Sequence, residues 1–282
     1  MLVRLALLKA RERLQASDIL EAEREAQLIC AHLCGVEPGQ LALYLEQNID
    51  EARLDQLLKR RAAKEPLQYV LGEAGFMSLN FAVGPGVLIP RADTEALVER
   101  AIVLLQNVKA PLIADIGAGC GAIGLSLAHY LPLAAVHGVD ISSTALMWAK
   151  KNALALGLGE RCLFYEGDLL APLTALKLRF DLIISNPPYI GAAEMAVLPM
   201  EVRQEPNLAL AGGPDGLDFY RRLAQEAGSM LKPNGRLLLE HGWQQQRQVA
   251  TILKQAGWQV IERLSDYAGR DRGLLACAHT WR

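Results

Sequence analysis

The sequence has few of the features that mark secreted or membrane proteins. Its five cysteines are an odd number without regular spacing, which gives no disulfide framework. No apolar run reaches the ~18 residues that a membrane-spanning helix requires. The first residues, MLVRLALLKARERL, are interrupted by Arg4 and Lys9 and have no small-residue cleavage site, so they lack the pattern of a signal peptide. We therefore expect a reduced, cytoplasmic protein that does not bind a membrane.

An excess of either charge is also missing. The 282 residues include 29 Lys and Arg against 31 Asp and Glu, a formal net charge of -2. Binding nucleic acid through many phosphate contacts requires a basic face, so we expect no direct nucleic-acid substrate. The apolar content of 51% is ample for a folded core and argues against disorder. At about 100–200 residues per domain, the length predicts two domains, or one large domain with an appendage.

Residues 1–73 have apolar residues that recur three and four positions apart. This spacing predicts amphipathic helices in LLKARERLQ, DILEAEREAQLICAHL and ARLDQLLKRRAAKEP, with Ser17 as the N-cap of the second. We predict that they form a helical substrate-recognition domain, and a cap packed on a catalytic domain is an equal alternative. Cys30 and Cys34 share a helix face in CAHLC, but no second ligand pair lies nearby. We interpret them as core cysteines and predict no metal site.

The pattern changes after residue 73. Residues 74–90, AGFMSLNFAVGPGVLIP, predict a β-hairpin linker. In residues 91–282, short apolar strands alternate with helices, and the predicted strands are LIADIG, AAVHGVD, CLFYEGD, FDLIISN and GRLLLEH. WQVIERLSDY and RGLLACAHT then follow each other without a helix. The predicted fold class is therefore α/β, a doubly wound, mostly parallel seven-stranded sheet with an antiparallel C-terminal edge pair.

The first predicted strand of this sheet ends in a glycine-rich turn, DIGAGCGAIG. In one frame the turn is the G-x-G-x-x-G fingerprint of dinucleotide-binding proteins. In the other frame Asp115 precedes Gly117, Gly119 and Gly121, and a carboxylate there repels a pyrophosphate but suits a cationic ligand such as S-adenosylmethionine. Asp140 ends the next strand, where a carboxylate binds a ribose diol. The turn alone predicts a nucleoside cofactor and leaves its identity open.

The strand FDLIIS delivers Asn186 to the same edge of the sheet, followed by Pro187, Pro188 and Tyr189. The Asn186 side-chain oxygen and the Pro187 carbonyl are acceptors, and the prolines restrict the backbone that holds them. Two fixed acceptors bind both N–H groups of a planar NH2 and aim its nitrogen at one point. With an electrophilic methyl group at that point, positioning and developing charge favour methyl transfer. A tight Asn-Pro turn is the structural alternative, and the glycine turn at the same edge favours the functional interpretation.

DIGAGCG together with SNPPY resembles the class I S-adenosylmethionine-dependent methyltransferases that modify planar NH2 nitrogens. VLIPRADTEALVE, EVRQEPNLALAGGPDGLDFYRRL and LLLEHGWQQ are similar to the bacterial release factor glutamine N5-methyltransferase family, and the similarity covers essentially the whole chain. The resemblance implies S-adenosylmethionine as cofactor. It also implies that the protein methylates the glutamine of the Gly-Gly-Gln motif in class 1 peptide chain release factors and so modulates translation termination. We expect a monomer.

The resemblance also implies the site residues. Those that would bind the cofactor are Asp115, Gly117, Ala118, Gly119, Cys120, Gly121, Asp140, Asp168, Leu169 and Asn186. The substrate would be bound by Asn186, Pro187, Pro188 and Tyr189, of which Asn186, Pro187 and Tyr189 are also the predicted catalytic residues. Family members can place a tryptophan against the adenine where this chain has Leu169, so an aromatic contact is absent there. Cys120 stands where a small hydroxyl residue is frequent.

Other residues have two interpretations each. Arg91, Thr94 and Glu95 are candidates for a lid over the cofactor, or for the start of a helix with Thr94 as its cap. The charged residues Glu201, Arg203 and Glu205 contact the incoming protein loop in one interpretation and form a solvated charge run in the other. Glu240 and His241 end a strand at the same edge, and a structural role for His241 is favoured over that of a general base.

Two other functions remain open at this stage. The two acceptors, the Asn186 side-chain oxygen and the Pro187 carbonyl, form what we call the NH2 clamp. This clamp also fits an adenine- or guanine-directed nucleic-acid methyltransferase, although the helical region is small and acidic. A non-catalytic scaffold that binds the cofactor is the second alternative, and nothing in SNPPY departs from a working clamp.

Overall fold

The computed structural model describes residues 1–278 and divides the chain into two compact units. One comprises Met1–Glu73 and Pro199–Gln204, and the other comprises Ala74–Leu198 and the chain from Glu205 onward. The last predicted strand, RGLLACAHT, ends with two residues that lie outside the described part, as do the last four residues of the predicted 91–282 domain. No helix of the described chain is both long enough and apolar enough to cross a membrane.

The first unit is helical. Its helices are α1 (Val3–Gln15), α2 (Ala22–Cys34), α3 (Glu51–Ala62) and α4 (Leu67–Leu71), with a 3₁₀ turn at Pro38–Tyr44. The buried residues of α1 are spaced three and four apart, as an amphipathic helix requires: Val3, Ala6, Ala10 and Leu14. Cys30 is fully buried in the same core. Asp50 caps α3 by accepting hydrogen bonds from the backbone N–H groups of Ala52 (2.9 Å) and Arg53 (3.1 Å).

The predicted N-cap role of Ser17 is wrong. The helix α2 begins only at Ala22, and the Ser17 hydroxyl donates to the Arg13 carbonyl at 2.9 Å, at the end of α1. Asp18 adopts a left-handed backbone conformation with φ 53°. The chain therefore turns between the two helices, at residues that the apolar spacing had assigned to the second helix.

The second unit contains two sheets. Strands β1 (Glu73–Phe76) and β2 (Leu79–Ala82) form a two-stranded sheet. The larger sheet has seven strands in the order β5-β4-β3-β6-β7-β9-β8. These strands are β3 (Leu112–Ile116), β4 (Ala135–Asp140), β5 (Cys162–Glu166), β6 (Phe180–Ser185), β7 (Leu231–Glu240), β8 (Trp258–Ser265) and β9 (Asp271–Ala278). The pairs from β5 to β7 are parallel, whereas β9 runs antiparallel to both β7 and β8. The predicted fold class is confirmed.

Helices precede and connect the strands of the larger sheet. They are α5 (Glu95–Leu105), α6 (Ala122–Tyr130), α7 (Ser143–Ala155), α8 (Ala171–Thr174), α9 (Ala192–Met195), α10 (Asn207–Leu210), α11 (Asp218–Glu226) and α12 (Gln246–Gln255). Short 3₁₀ turns lie at Ala92–Thr94, Val202–Gln204 and Ala227–Met230. All but one residue of β6 are buried, which explains its nearly continuous apolar sequence.

The order of the strands determines where a ligand can bind. The chain order reverses between β3 and β6, which are neighbours although β4 and β5 separate them in sequence. Ile116 at the end of β3 pairs with Ser185 at the end of β6. The segments that follow these two residues therefore leave the sheet at the same level, at the switch point where open α/β sheets bind ligands.

Candidate active site

A cavity of about 290 Å³ lies at this switch point, within the second unit. It is lined by the segments that follow β3, β4, β5 and β6, and by residues 86–91 and Thr94. Pro206, Leu208 and Ala209 also line it. Of the predicted site residues, those that line the cavity are Gly117, Ala118, Gly119, Cys120, Asp140, Asp168, Leu169, Asn186, Pro187 and Pro188. Asp115, Gly121 and Tyr189 do not line it.

The glycine turn brings its backbone to the cavity wall. Gly117 has φ 74° and Gly119 has φ 57°, in the left-handed region that favours glycine. A Cβ on Gly117 would lie 3.8 Å from the backbone oxygen of Asn186, so the turn after β3 and the segment after β6 are immediate neighbours. The cavity wall therefore combines the turn backbone with the Asn186 segment, as the sequence predicted for this edge.

Asp140 connects the glycine turn to the end of β4. Its carboxylate accepts hydrogen bonds from the backbone N–H groups of Gly119 (2.8 Å) and Ser142 (2.9 Å). Burial raises its pKa, while these backbone donors oppose the shift. Since each carboxylate oxygen accepts one bond and keeps a further lone pair, Asp140 can still accept from the hydroxyls of a ribose at the cavity.

Asp115 lies beneath the turn rather than in the cavity wall. It is fully buried, one of its oxygens accepts from the Gly124 N–H at 2.9 Å, and the other has no hydrogen-bond partner among the described residues. Burial raises its pKa to about 7. A side chain on Gly124 would meet this carboxylate and Val136, so Asp115 fills the space under the start of α6. Its predicted contribution to cofactor binding stays a prediction.

Asp168 and Leu169 form a further part of the wall. Asp168 makes a two-pronged ion pair with Arg222, with oxygen–nitrogen distances of 3.1 and 2.7 Å. Leu169 is largely buried and has a left-handed backbone with φ 47°. An apolar side chain therefore lies where the family resemblance places an adenine contact.

Asn186 is held from both sides. Ser185, the residue before it, donates from its buried hydroxyl to the Ile116 carbonyl at 2.6 Å, which fastens the end of β6 to β3. The Asn186 side-chain NH2 donates to the Thr94 hydroxyl oxygen at 3.2 Å. Since the amide nitrogen is engaged with Thr94, the amide oxygen is the group that remains to accept a hydrogen bond from a ligand.

Tyr189 packs away from this cavity. Its ring lies against the hydrophobic core of the sheet, and burial raises its pKa to about 12. Its backbone carbonyl accepts from the Gln245 side-chain NH2 at 2.9 Å. Gly212 and Gly216 lie so close to this segment that any side chain on either would overlap it. Sequence reasoning missed these contacts, although the glycines of GGPDG were a signal that something packs closely there.

Glu205 connects two segments that line the cavity, residues 86–91 and the segment that begins at Pro206. Glu205 is buried, accepts from the Ile89 backbone N–H at 3.0 Å, and forms an ion pair with Arg91. The interpretation of Glu205 as part of a solvated charge run is therefore wrong. Glu201 forms an ion pair with Arg61 at 2.7 Å within the helical unit. Contact of these residues with an incoming protein loop stays a prediction.

His241 is buried and does not line the cavity. Its Nδ1 donates to the Gly242 carbonyl at 2.9 Å, and burial lowers its pKa, so it is neutral near pH 7. Its Nε2 has no hydrogen-bond partner among the described residues. In the described chain, no group of three or more His, Cys, Asp and Glu side chains is arranged to hold a metal ion.

Comparison with known proteins gives matches over nearly the whole chain. A model of the PrmC N-terminal domain matches residues 6–72, and a model of the methyltransferase small domain matches residues 94–202. The release factor glutamine methyltransferase of Moorella thermoacetica is 47% identical over 98% of this chain and 98% of its own. That of Cereibacter sphaeroides is 42% identical over 96% of each chain.

The chain belongs to the release factor glutamine methyltransferase family.

The solved structures extend the fold comparison. A 16S rRNA N2 G1207 methyltransferase from T. thermophilus, in complex with AdoMet and guanosine, is 20% identical and aligns with a TM-score of 0.53. The alignment covers 73% of this chain and 50% of that one, and it supports the fold alone. In this release factor glutamine methyltransferase family member, the methyltransferase domain match begins at Thr94 and contains both the glycine turn and Asn186. Glu205 and Glu240 lie beyond its end.

Proposed function

We propose that this protein transfers the methyl group of S-adenosylmethionine to the side-chain amide nitrogen of the glutamine in the Gly-Gly-Gln motif of class 1 peptide chain release factors. The observation that carries the proposal is that Asn186 and Pro187 line the same cavity as the glycine turn, at the switch point of the sheet. Family membership supports the protein substrate. Residues 1–73 are proposed to recognise the release factor, and the protein is proposed to act as a monomer.

The cavity fits a cationic nucleoside. Two acidic side chains line it, Asp140 and Asp168, and Asp115 lies directly beneath the turn. The basic residues in the wall are each paired with a carboxylate, Arg91 with Glu205 and Arg222 with Asp168. Asp140 is therefore the acidic side chain of the described wall that has no paired cation. Apolar contacts for a base come from Ile141 and Leu169. When bound, S-adenosylmethionine supplies an electrophilic methyl group attached to a sulfonium sulfur.

The residues of the chain act on the glutamine amide. The Asn186 side-chain oxygen and the Pro187 carbonyl accept the two N–H bonds of the amide, which fixes the nitrogen and excludes water from it. An amide nitrogen is a weak nucleophile because its lone pair is delocalised into the carbonyl group. These two acceptors become stronger partners as positive charge develops on the nitrogen, so they stabilise the transition state more than the ground state. The proton that leaves the nitrogen passes to solvent after the transfer.

The function is tested with the full-length protein, a recombinant release factor and methyl-labelled S-adenosylmethionine. We expect a gain of one methyl group on the Gly-Gly-Gln peptide, located on the glutamine by mass spectrometry, and no gain in a release factor whose glutamine is replaced by glutamate. Label incorporated into DNA or RNA, with the peptide unmodified, would establish a nucleic-acid methyltransferase instead. Binding of cofactor and release factor without turnover would support a scaffold.

Removal of the Asp140 carboxylate should weaken cofactor binding. We expect Asp140→Ala to raise the Kd for S-adenosylmethionine about 10- to 100-fold, because charged hydrogen bonds contribute roughly 1.5–3 kcal/mol. Asp140→Asn keeps one acceptor oxygen and should fall between the two. Isothermal titration calorimetry measures the affinities, and Glu160→Ala, at an exposed acidic position outside the cavity, is the matched control. An unchanged Kd in Asp140→Ala would show that this carboxylate does not bind the ribose.

A further inference from the structure

We propose that Asn152 is a positioning residue for the methyl donor, because it bonds the glycine turn to the chain that leads into residues 86–91. All six of residues 86–91 line the cavity, and we call them the wall segment. Asn152 itself lies in α7, is 2% exposed and does not line the cavity, so it acts through the residues that it holds. The inference deepens the proposed function and rests on it for the identity of the methyl donor.

The Asn152 side chain makes three hydrogen bonds, and each of them is to a backbone group. Its oxygen accepts from the Ala82 N–H at 2.8 Å. Its NH2 donates to the Ala82 carbonyl at 3.0 Å and to the Cys120 carbonyl at 2.9 Å. The amide therefore bonds to both backbone groups of the last residue of β2 and uses its other N–H on the glycine turn. These partners are 70 and 32 positions away from Asn152 in sequence.

The three bonds allow only one orientation of the Asn152 amide. A flipped amide would put its oxygen against two carbonyl oxygens and its NH2 against the Ala82 N–H, so that all three contacts would become repulsive. Because the side chain is buried, loss of the amide would leave backbone groups of Ala82 and Cys120 without their partner, which is costly. Asn152 therefore fixes the distance between the end of β2 and the glycine turn by direct bonds to both.

Two further residues of α7 contact the chain between Ala82 and the wall segment. A Cβ on Gly84 would lie 2.6 Å from a ring carbon of Trp148. A Cβ on Gly86 would lie 2.7 Å from the methyl group of Thr144. The three contacts pair Asn152, Trp148 and Thr144 with Ala82, Gly84 and Gly86, in that order.

These contacts define the register of the chain on α7. Positions four apart in the helix meet positions two apart in the other chain, which runs in the opposite direction. Four residues of α-helix advance about 6 Å, which is close to the length of two residues of extended chain. Since the two glycine positions have no room for a Cβ, a shift by one residue would force side chains against α7. The start of the wall segment is therefore fixed on the helix.

The register places the wall segment against the glycine turn. Val87 is buried, and a Cβ on Gly119 would lie 3.9 Å from its Cγ2 atom. Further along, the Ile89 N–H donates to Glu205 at 3.0 Å. A ligand in the cavity contacts the turn and the wall segment together, because both line it. The bonds of Asn152 to Ala82 and Cys120 hold these two parts of the wall at the spacing that the methyl donor requires.

The experiment uses Asn152→Ala in the full-length protein. We expect the Kd for S-adenosylmethionine to rise about 10-fold, the factor that corresponds to the loss of one or two hydrogen bonds. The KM for the release factor should stay within about threefold of the wild type, because the bonds that are lost hold the cofactor side of the cavity. Isothermal titration calorimetry measures the first quantity, and steady-state kinetics at saturating S-adenosylmethionine measures the second.

Arg161→Gln is the matched control. Arg161 is partly buried, does not line the cavity, and also bonds to backbone carbonyls, those of Ala128 (2.8 Å), Leu131 (3.4 Å) and Ala134 (3.1 Å). We expect this variant to lose thermal stability with an unchanged Kd. If Asn152→Ala also lost stability with an unchanged Kd, Asn152 would be only structural and the proposal would be overturned.

The register is tested with Gly84→Ala in the wild type and in Trp148→Ala. Gly84 does not have a positive φ, so an alanine there is not strained, but its Cβ would overlap the Trp148 ring. We expect Gly84→Ala to raise the Kd at least about twofold in the wild type and to have no effect in Trp148→Ala, because residues in contact are coupled. Equal increases in both backgrounds would show that this contact does not set the register.

A further measurement does not depend on the proposed function. Hydrogen exchange followed by mass spectrometry reports on the Ala82 N–H directly, and we expect faster exchange at Ala82 and in the glycine turn in Asn152→Ala but not in Arg161→Gln. Faster exchange in a protein whose wild type does not bind S-adenosylmethionine would disprove the proposed function and keep the Asn152 link. Unchanged exchange and Kd in Asn152→Ala, with a wild type that methylates the release factor, would disprove the link alone.

Discussion

Asn186→Ala is expected to lower kcat for release factor methylation by about 10²–10³-fold, the effect of removing one acceptor or donor that acts on developing charge. The variant loses the amide oxygen that accepts the substrate N–H, and it also loses the donor to Thr94. The backbone carbonyls of Asn186 and Pro187 remain, so the affinity for S-adenosylmethionine should change much less than kcat. Single-turnover kinetics on the release factor, together with calorimetry for the cofactor, separates the two effects.

Asn186→Asp tests the same position with a side chain of nearly the same shape as asparagine. It keeps an acceptor oxygen but replaces the NH2 that donates to Thr94 with a second acceptor oxygen, and it adds a negative charge. We expect kcat to fall below that of the wild type, because a carboxylate cannot donate to Thr94 and is no longer held in the orientation of the amide. Asn107→Ala, at an exposed asparagine outside the cavity, is the control. Wild-type kcat in Asn186→Ala would exclude the clamp.

The sequence was sufficient to predict the edge of the sheet at which the site lies. The apolar runs before Asp115 and Asn186 predict buried parallel strands, and the carboxyl ends of such strands meet at one edge. The pairing of Ile116 with Ser185 brings the two motifs to the same level. Prolines and glycines at these two places gave a local signal, because each residue type has a restricted or unusual backbone.

Contacts between distant side chains could not be predicted in this way. Thr94 has the sequence pattern of a helix cap, and only the fold places its hydroxyl oxygen against the Asn186 side-chain NH2. Glu205 stands in a charged stretch, yet it is buried against Ile89 and Arg91. The motif also does not reveal that Asp115 faces the space under α6 rather than the cavity. In each case the local sequence pattern predicts the backbone conformation. The partner of the side chain depends instead on how elements that are distant in sequence pack together.

Gly216→Ala is expected to abolish activity and to reduce stability, because Gly216 supports the segment that carries the clamp. A Cβ at this position would overlap the Tyr189 carbonyl and would lie 2.7 Å from the Gln245 side-chain nitrogen. That nitrogen donates to the Tyr189 carbonyl at 2.9 Å. The new methyl group would therefore overlap both the donor and the acceptor of this hydrogen bond. The backbone of Gly216 also has φ 76°, where an alanine is strained.

Gly157→Ala separates the two causes of this effect. Gly157 follows α7, has φ 68°, and has no atom within 4 Å of the Cβ position. It therefore carries the same backbone strain, about 1–2 kcal/mol, without a clash. We expect Gly157→Ala to unfold at a lower urea concentration with kcat unchanged, and Gly216→Ala to lose stability further and to lose kcat about 100-fold or more, since a displacement of about 1 Å has that cost.

Gly212→Ala tests the clash without the strain. Gly212 does not have a positive φ, but a Cβ there would lie 2.7 Å from the Pro188 carbonyl oxygen and 2.8 Å from the Tyr189 Cα. These atoms belong to the backbone and cannot rotate away, so the Asn-Pro-Pro-Tyr segment itself must move. If positioning by this segment carries catalysis, Gly212→Ala loses kcat although its backbone is unstrained. Equal kcat in Gly212→Ala and Gly157→Ala would instead mean that the acceptors tolerate displacement, and that their placement contributes little to the rate.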